Sequence, residues 1–222
     1  MIVIDDGSTD RSLEIIRGFG EKIHWESGSN KGGCAARNRG IELAQGDYFQ
    51  FLDANDLIHP EKIAIQLPYL LGKNYNAANS CLRRFSGDSY NWPLLRPKPE
   101  LTPNPLHLPG FEFLLKRYLN EIEVPLEGRS LMHCWLLPRS LVEAVGPWDE
   151  QLAMAQDCDY FDRVCVLSEE VIYLPRLLAQ YRVANRQWAE DHMSWPHVGQ
   201  QHVDFYSAVS SSQRTRQAAL SL

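Results

Sequence analysis

The chain opens with an apolar run, Ile2-Val3-Ile4, that stops at the polar turn Asp5-Asp6-Gly7-Ser8-Thr9-Asp10. Apolar positions then recur at Leu13, Ile16 and Phe19, the spacing of one helix face, so the pattern predicts strand, loop, helix. Ile23 to Trp25 reads as a short strand. Gly28 to Gly33 reads as a loop before a helix from about Cys34 to Ala44, which Gly46 ends at its C-cap. Tyr48 to Leu52 is a buried strand pattern that runs into a second acidic turn, Asp53-Ala54-Asn55-Asp56. Pro60 follows where a first helical turn accepts a residue without an N–H, which predicts a helix to about Leu70. Strands alternating with helices predict an α/β fold, a Rossmann-like, mostly parallel sheet flanked by helices. Ile2 to Ile4 and Tyr48 to Leu52 are expected to run parallel, with their C-terminal ends facing one crevice. Ligands bind at that end of open α/β sheets.

This regularity fails between Arg83 and Pro109, where Pro93, Pro97, Pro99, Pro103, Pro105 and Pro109 interrupt any period and predict an irregular loop. Phe111 to Leu119 is again helical, Leu131 to Leu137 strand-like, and Arg139 to Val145 helical with Gly146 as the stop. A further helix starts near Asp157. The tail after Trp188 is polar, Ser/Gln-rich near its end and without period. The expected divisions are 1–82, 83–130, 131–187 and 188–222, with no internal repeat.

Composition narrows the class. The 222 residues, 44% hydrophobic, suffice for one sizeable core. A formal charge of −6 argues against nucleic acid as a partner. The five cysteines are an odd number without a C-x-x-C pair, so they are read as small buried residues of a reducing compartment. No apolar run approaches the roughly 20 residues that cross a bilayer, so the expected location is the cytoplasm, with no transmembrane segment; peripheral membrane association is compatible with this. The seven histidines lack spacing such as H-E-x-x-H and are given structural roles, His133 as an interior residue, while Trp135 and Trp148 are placed in the core.

Three acidic clusters carry candidate chemistry. Asp5 and Asp6 end a strand, where carboxylates can accept hydrogen bonds from a base or a ribose, and the following Ser8, Thr9 and Asp10 suit a turn and helix cap. Asp53-Ala54-Asn55-Asp56 concentrates oxygen donors suited to Mg²⁺ or Mn²⁺ carrying phosphates, or equally to a helix cap. Asp157, in Gln156-Asp157-Cys158-Asp159, suits either a helix cap or a general base. At the ordinary carboxylate value near 3.9 it is ionised at neutral pH.

The strings VIDDGSTDRSLEII, NKGGCAARNRGIELAQGDYFQFLDANDLIHPEKI, PRSLVEAVGPWDEQL and QDCDYFDRV closely resemble family 2 glycosyltransferases in order and spacing. The resemblance covers Ile2 to about Lys73 and then Leu131 to Arg182. It implies a GT-A fold and transfer of a sugar, with inversion, from a nucleoside-diphosphate sugar, most simply a UDP-sugar, to a saccharide or lipid-linked acceptor, as in surface polysaccharide synthesis. Residues 1–82 then become the donor-binding half and 131–187 the acceptor and catalytic half. The resemblance implies that Asp5 and Asp6 face base and ribose, and that Asp53 and Asn55 take the D-x-D positions beside diphosphate and divalent metal. It makes Asp157 the catalytic Asp of E-D-x-D. Lys31 and Arg37 lie in the segment that walls the donor pocket, though exposed salt bridges suit them as well.

Four departures stand out. Asn55 and Gln156 are amides where the family has acids, and the late Tyr181-Arg182 pair lacks the usual following His. The first strand here resembles the family's second, so the chain is read as lacking the preceding strand and helix. An inactive binding domain, or a fragment of a longer enzyme, is the alternative reading.

Overall fold

The computed structural model describes residues 1–85, 104–119 and 131–182. Its elements run β1 (Ile2–Asp5), α1 (Ser12–Gly18), β2 (His24–Ser27), α2 (Gly33–Leu43), β3 (Tyr48–Phe49), β4 (Leu57–Ile58), α3 (Lys62–Gln66), β5 (Asn76–Phe85), β6 (Leu106–Pro109), α4 (Gly110–Tyr118), β7 (Leu137–Pro138), α5 (Arg139–Val145), α6 (Gln156–Leu167) and β8 (Glu170–Arg182). Helices form where apolar spacing and stop residues place them, α5 ending at Gly146 and α6 beginning beside Asp157. The result is an α/β fold.

Strand β1 pairs in parallel with β2, Ile2 opposite His24 and Asp5 opposite Ser27. The long strand β8 pairs in parallel with β5 on one edge, while β6 and then β4 lie antiparallel along the other. Register along β5 and β8 shifts at Ser80, Cys81 and Leu82, next to Pro175. A proline has no N–H for the ladder and is accommodated at such bulges.

The expected strand Tyr48 to Leu52 is a correction. Only Tyr48 and Phe49 pair, and they pair antiparallel, with Pro138 and Leu137, in a sheet separate from β1. The reason lies in the partner segment. Leu131 to Leu137, expected as a strand, instead turns through a 3-10 helix at Met132–Cys134 before Leu136 bridges to Ala78. The carbonyls of His133, Cys134 and Trp135 accept hydrogen bonds from side chains, those of Gln50, Gln66 and Lys62 respectively, in place of a ladder partner beyond Phe49. The irregular loop from Arg83 is also shortened, since β5 reaches Phe85 and β6 occupies Leu106–Pro109. Residues 86–103 and the polar tail 188–222 lie outside the described residues.

One apolar cluster joins β1, α2, β3, α5 and α6, and its centre is aromatic. Trp148 stacks on Tyr160 with ring centroids 4.1 Å apart, and Trp135 stacks on Phe161 at 5.1 Å. Phe51 meets Trp148, Tyr160 and Phe161 edge-on. Tyr160 and Phe161 belong to α6, so this cluster fixes the helix that carries Asp157. The second brace on α6 is α4, whose first residue, Gly110, packs against the end of α6. A Cβ at Gly110 would lie 2.1 Å from the Cys165 carbonyl oxygen and 2.5 Å from that of Ser168.

Gly110→Ala is therefore expected to destabilise the fold by about 1–3 kcal/mol through overpacking. Gly18→Ala, whose added Cβ meets nothing within 4 Å, is expected to stabilise it by about 0.5–1 kcal/mol. Urea unfolding of both variants checks this, and an unchanged or raised midpoint for Gly110→Ala would refute the close approach of α4 and α6.

Candidate active site

The first acidic turn folds inward. The Asp5 carboxylate is buried and accepts hydrogen bonds from the Ser8 backbone N–H at 3.3 Å and the Ser27 hydroxyl at 2.6 Å. Asp6 accepts the backbone N–H groups of Lys31 at 2.7 Å and Gly32 at 2.8 Å, fastening the loop that leads into α2. Gly7 lets that loop approach: its φ is +79°, and a Cβ there would lie 2.6 Å from the Asn30 nitrogen. Beside these residues is an open cleft of about 530 Å³ whose walls include Asp5, Asp6, Ser27, Lys31, Asn38 and Glu150.

The second acidic turn meets α2 from the other side. Arg37 reaches from α2 to the Asp53 carboxylate, 2.8 Å from Nη2 to Oδ1, and donates to Gln156 Oε1 at 3.2 Å. Its guanidinium lies over the Trp148 ring, 4.7 Å from the centroid, a contact that suits a cation with little water around it. Both acidic turns are thus tied to the start of α2, Asp6 through the loop before it and Asp53 through Arg37. Asp56 serves the scaffold instead: its Oδ1 accepts the Arg182 backbone N–H at 2.9 Å, and its Oδ2 lies 3.0 Å from His133 Nδ1, both side chains being buried.

Asp157 sits in the first turn of α6, whose N-cap position is held by Ala155. Burial pushes its carboxyl above the ordinary range, and the negative charge of Asp53 adds to this. Arg37, His133 and the Met132 backbone act in the opposite direction. The expectation of an unshifted carboxyl is corrected by its enclosure. The structure therefore brings Arg37, Asp53, Gln156 and Asp157 together, and it groups Asp5, Asp6 and Lys31 at the adjoining cleft.

A dedicated metal cage is not what these residues build. Among the described residues no group of three or more His, Cys, Asp or Glu is placed to hold an ion. Asp53 offers one carboxylate and Asn55 one carboxamide. Such a pair fits a hard cation that arrives with phosphates, because Mg²⁺-type sites commonly use one or two protein oxygens plus substrate oxygens and water. Sequence reasoning missed the buried polar group Gln50, Lys62 and Gln66. Its signal is the i, i+4 polar pair on a helix otherwise made of Ile63, Ala64 and Ile65. It also missed Asn38, whose side-chain amide bonds the Trp148 backbone and Glu150.

Residues 1–146 match Glycosyl transferase family 2, and the chain belongs to that family. It is 47% identical over 75 residues to an uncharacterized glycosyltransferase of Haemophilus influenzae, a match that covers 32% of this chain and 30% of that protein. Its fold superposes on S. aureus TarS 1–349 in complex with UDP-GlcNAc with a TM-score of 0.61 at 15% identity, covering 83% of this chain and 49% of that one. It also resembles GalNAc-T7 with UDP, GalNAc and Mn²⁺, at a TM-score of 0.57 and 13% identity over 84% of this chain and 38% of that one. The fold is the GT-A fold, and the chain spans half or less of the length of these three proteins.

The Asp157 environment gives a stability test. A carboxyl whose folded pKa is raised costs stability as pH rises from its unfolded value through the folded one. Asp157→Asn is thus expected to raise the urea midpoint at pH 7 and to flatten the loss of stability that sets in as pH rises above the ordinary carboxylate value near 4. A midpoint lowered by the roughly 1 kcal/mol of a lost cap would instead assign Asp157 to capping.

Proposed function

We propose that this chain transfers a sugar from a nucleoside-diphosphate donor, in the first instance a UDP-sugar, to a hydroxyl of a saccharide or lipid-linked acceptor, with inversion at the anomeric carbon. The observation that carries this reading is the grouping of a half-buried carboxylate, Asp157, with a guanidinium, Arg37, and a second carboxylate, Asp53, at the end of the strand segment after Phe49. Family membership supports it, as does the likeness in fold to a protein that holds UDP-GlcNAc.

In this reading Asp157 is the general base. As the acceptor oxygen forms its bond to the anomeric carbon, the acceptor proton passes to Asp157, and the bond from carbon to the diphosphate oxygen breaks with its electron pair on the diphosphate. A carboxyl raised above the ordinary range by burial and by the neighbouring Asp53 charge is a stronger base once ionised. Attack from the side opposite the leaving group inverts the centre. Arg37 meets the charge that develops on the diphosphate. The cleft at Asp5, Asp6 and Lys31 receives the nucleoside, with the spare lone pairs of Asp6 as acceptors. A divalent cation, Mn²⁺ or Mg²⁺, would be held by Asp53 and Asn55 and would neutralise charge on the diphosphate.

A second reading is a domain that binds nucleotide without turnover, favoured by the hold of Arg37 on Asp53 and by the amides Asn55 and Gln156. Assay separates the two. UDP release from UDP-sugars with saccharide acceptors is expected for the parent chain and is expected to fall about 10²–10⁴-fold in Asp157→Asn. Asp159→Asn, which loses its ion pair with Arg163, is expected to stay near the parent rate. UDP binding without release from any donor supports the second reading, and a parental rate in Asp157→Asn overturns the base.

The metal assignment has its own test. Asn55→Asp adds a charged oxygen, so Mn²⁺ titrated calorimetrically in the presence of UDP is expected to bind more tightly to the variant. Equal affinity would remove Asn55 from the ligand set.

A further inference from the structure

Lys62 lies in the first position of α3 and is wholly buried, with no carboxylate among its partners. Its ammonium donates to three neutral oxygens: the side-chain oxygens of Gln50 and Gln66, and the Trp135 carbonyl at 3.2 Å. An ammonium has three donors, and three acceptors receive them. Burying a cation among neutral groups is costly, and burial pushes this amine down to about 7. A methionine or leucine would fill the space but leave the Gln50 and Gln66 side-chain oxygens and the Trp135 carbonyl without this donor, so the reason for the charge lies in what it holds.

The two glutamines extend its grip. Gln50 donates to the carbonyls of Phe51 at 2.6 Å and His133 at 3.2 Å, and Gln66 donates to that of Cys134 at 3.0 Å. Three consecutive carbonyls, those of His133, Cys134 and Trp135, thus end on this one group. Those two segments are also what α6 rests on. Phe51, next to Gln50, packs edge-on against Tyr160 and Phe161, while the Trp135 ring stacks on Phe161. Phe161 lies one helical turn beyond Asp157.

We propose that Lys62 is a positioning residue for the Asp157 carboxylate: its ammonium locks together the strand end at Gln50 and the turn at Met132–Trp135, and so fixes the seat of α6. This rests on the assignment of Asp157 as the base. Lys62 touches neither donor nor acceptor and acts only through the geometry it imposes. Its loss lets the two segments move apart, and α6 shifts or rocks on a looser floor. Misplacement of a reacting group by about 1 Å can cost on the order of 10²-fold in rate without weakening binding.

The test uses the full chain with Lys62→Met, Gln66→Leu as a milder cut in the same network, and Lys73→Met, an exposed lysine beside Glu170, as a control. Two readouts are taken. In transfer of sugar from a UDP-sugar, kcat is expected to fall about 10–100-fold in Lys62→Met and less in Gln66→Leu. The KM for donor stays within about twofold in both, and Lys73→Met matches the parent. In amide hydrogen exchange, protection is expected to fall in both network variants at Cys134 to Leu136 and along α6. The exchange readout needs no activity. A parent chain that transfers nothing refutes the proposed function, while exchange still decides whether Lys62 fixes α6. Faster exchange confined to α3, or a kcat unchanged in a folded Lys62→Met or Gln66→Leu variant, overturns the positioning role.

Discussion

The seating of α6 is the constraint on which the rest of the site depends. An acidic residue in a first helical turn is chemically unremarkable; what distinguishes Asp157 is that its helix is gripped along one face by stacked rings, Trp148 on Tyr160 and Trp135 on Phe161, with Phe51 wedged between. Aromatic pairs in offset or edge-to-face contact contribute on the order of 0.5–1.5 kcal/mol each beyond the area they bury. Their larger consequence is directional, because interlocked rings permit few ways for the helix to rotate or slide. Arg37 completes the grip by lying over Trp148 while holding Asp53 and Gln156. The same indole that packs the core thereby sets the position of the Arg37 guanidinium beside Asp53.

Polar groups do in this core what apolar ones could not. Apolar packing specifies volume, but the carbonyls of an irregular turn must be met by donors, and the segment at Met132–Trp135 has three facing the interior. Lys62, Gln50 and Gln66 supply those donors. On the neighbouring side, Asp56 joins the Arg182 backbone to His133 and ties the end of β8 to the same turn. Strand β8 ends there, α3 begins there, and α6 rests on it. The first acidic cluster is held differently: Asp5 and Asp6 are fastened to the β2 end and the loop before α2, beside the open cleft.

Most helices were legible in the chain because their apolar positions recur at helical spacing and glycine or proline marks their ends. The acidic turns were legible because they follow apolar runs. Strand β5 was not, since Asn76, Asn79 and Ser80 are buried there and break any alternation. The antiparallel pairing of β3 was not, because its partner strand lies some ninety residues later and follows an irregular turn. The grouping of Asp53 with Asp157 came from family resemblance alone. No local pattern links two residues so far apart in sequence, and the shifted carboxyl of Asp157 follows from burial that only the fold supplies. Lys62 was passed over because a lysine at a helix start reads as a solvated charge.

The central claim is that Arg37, Asp53 and Asp157 surround the diphosphate and anomeric carbon of a nucleotide-sugar while the cleft at Asp6 takes the nucleoside. A crystal structure of this chain soaked with UDP tests it most directly. The account predicts the diphosphate within hydrogen-bond distance of the Arg37 guanidinium and the uridine in the cleft beside Asp6 and Lys31. UDP bound elsewhere, with Arg37 and Asp53 facing only each other, would contradict it.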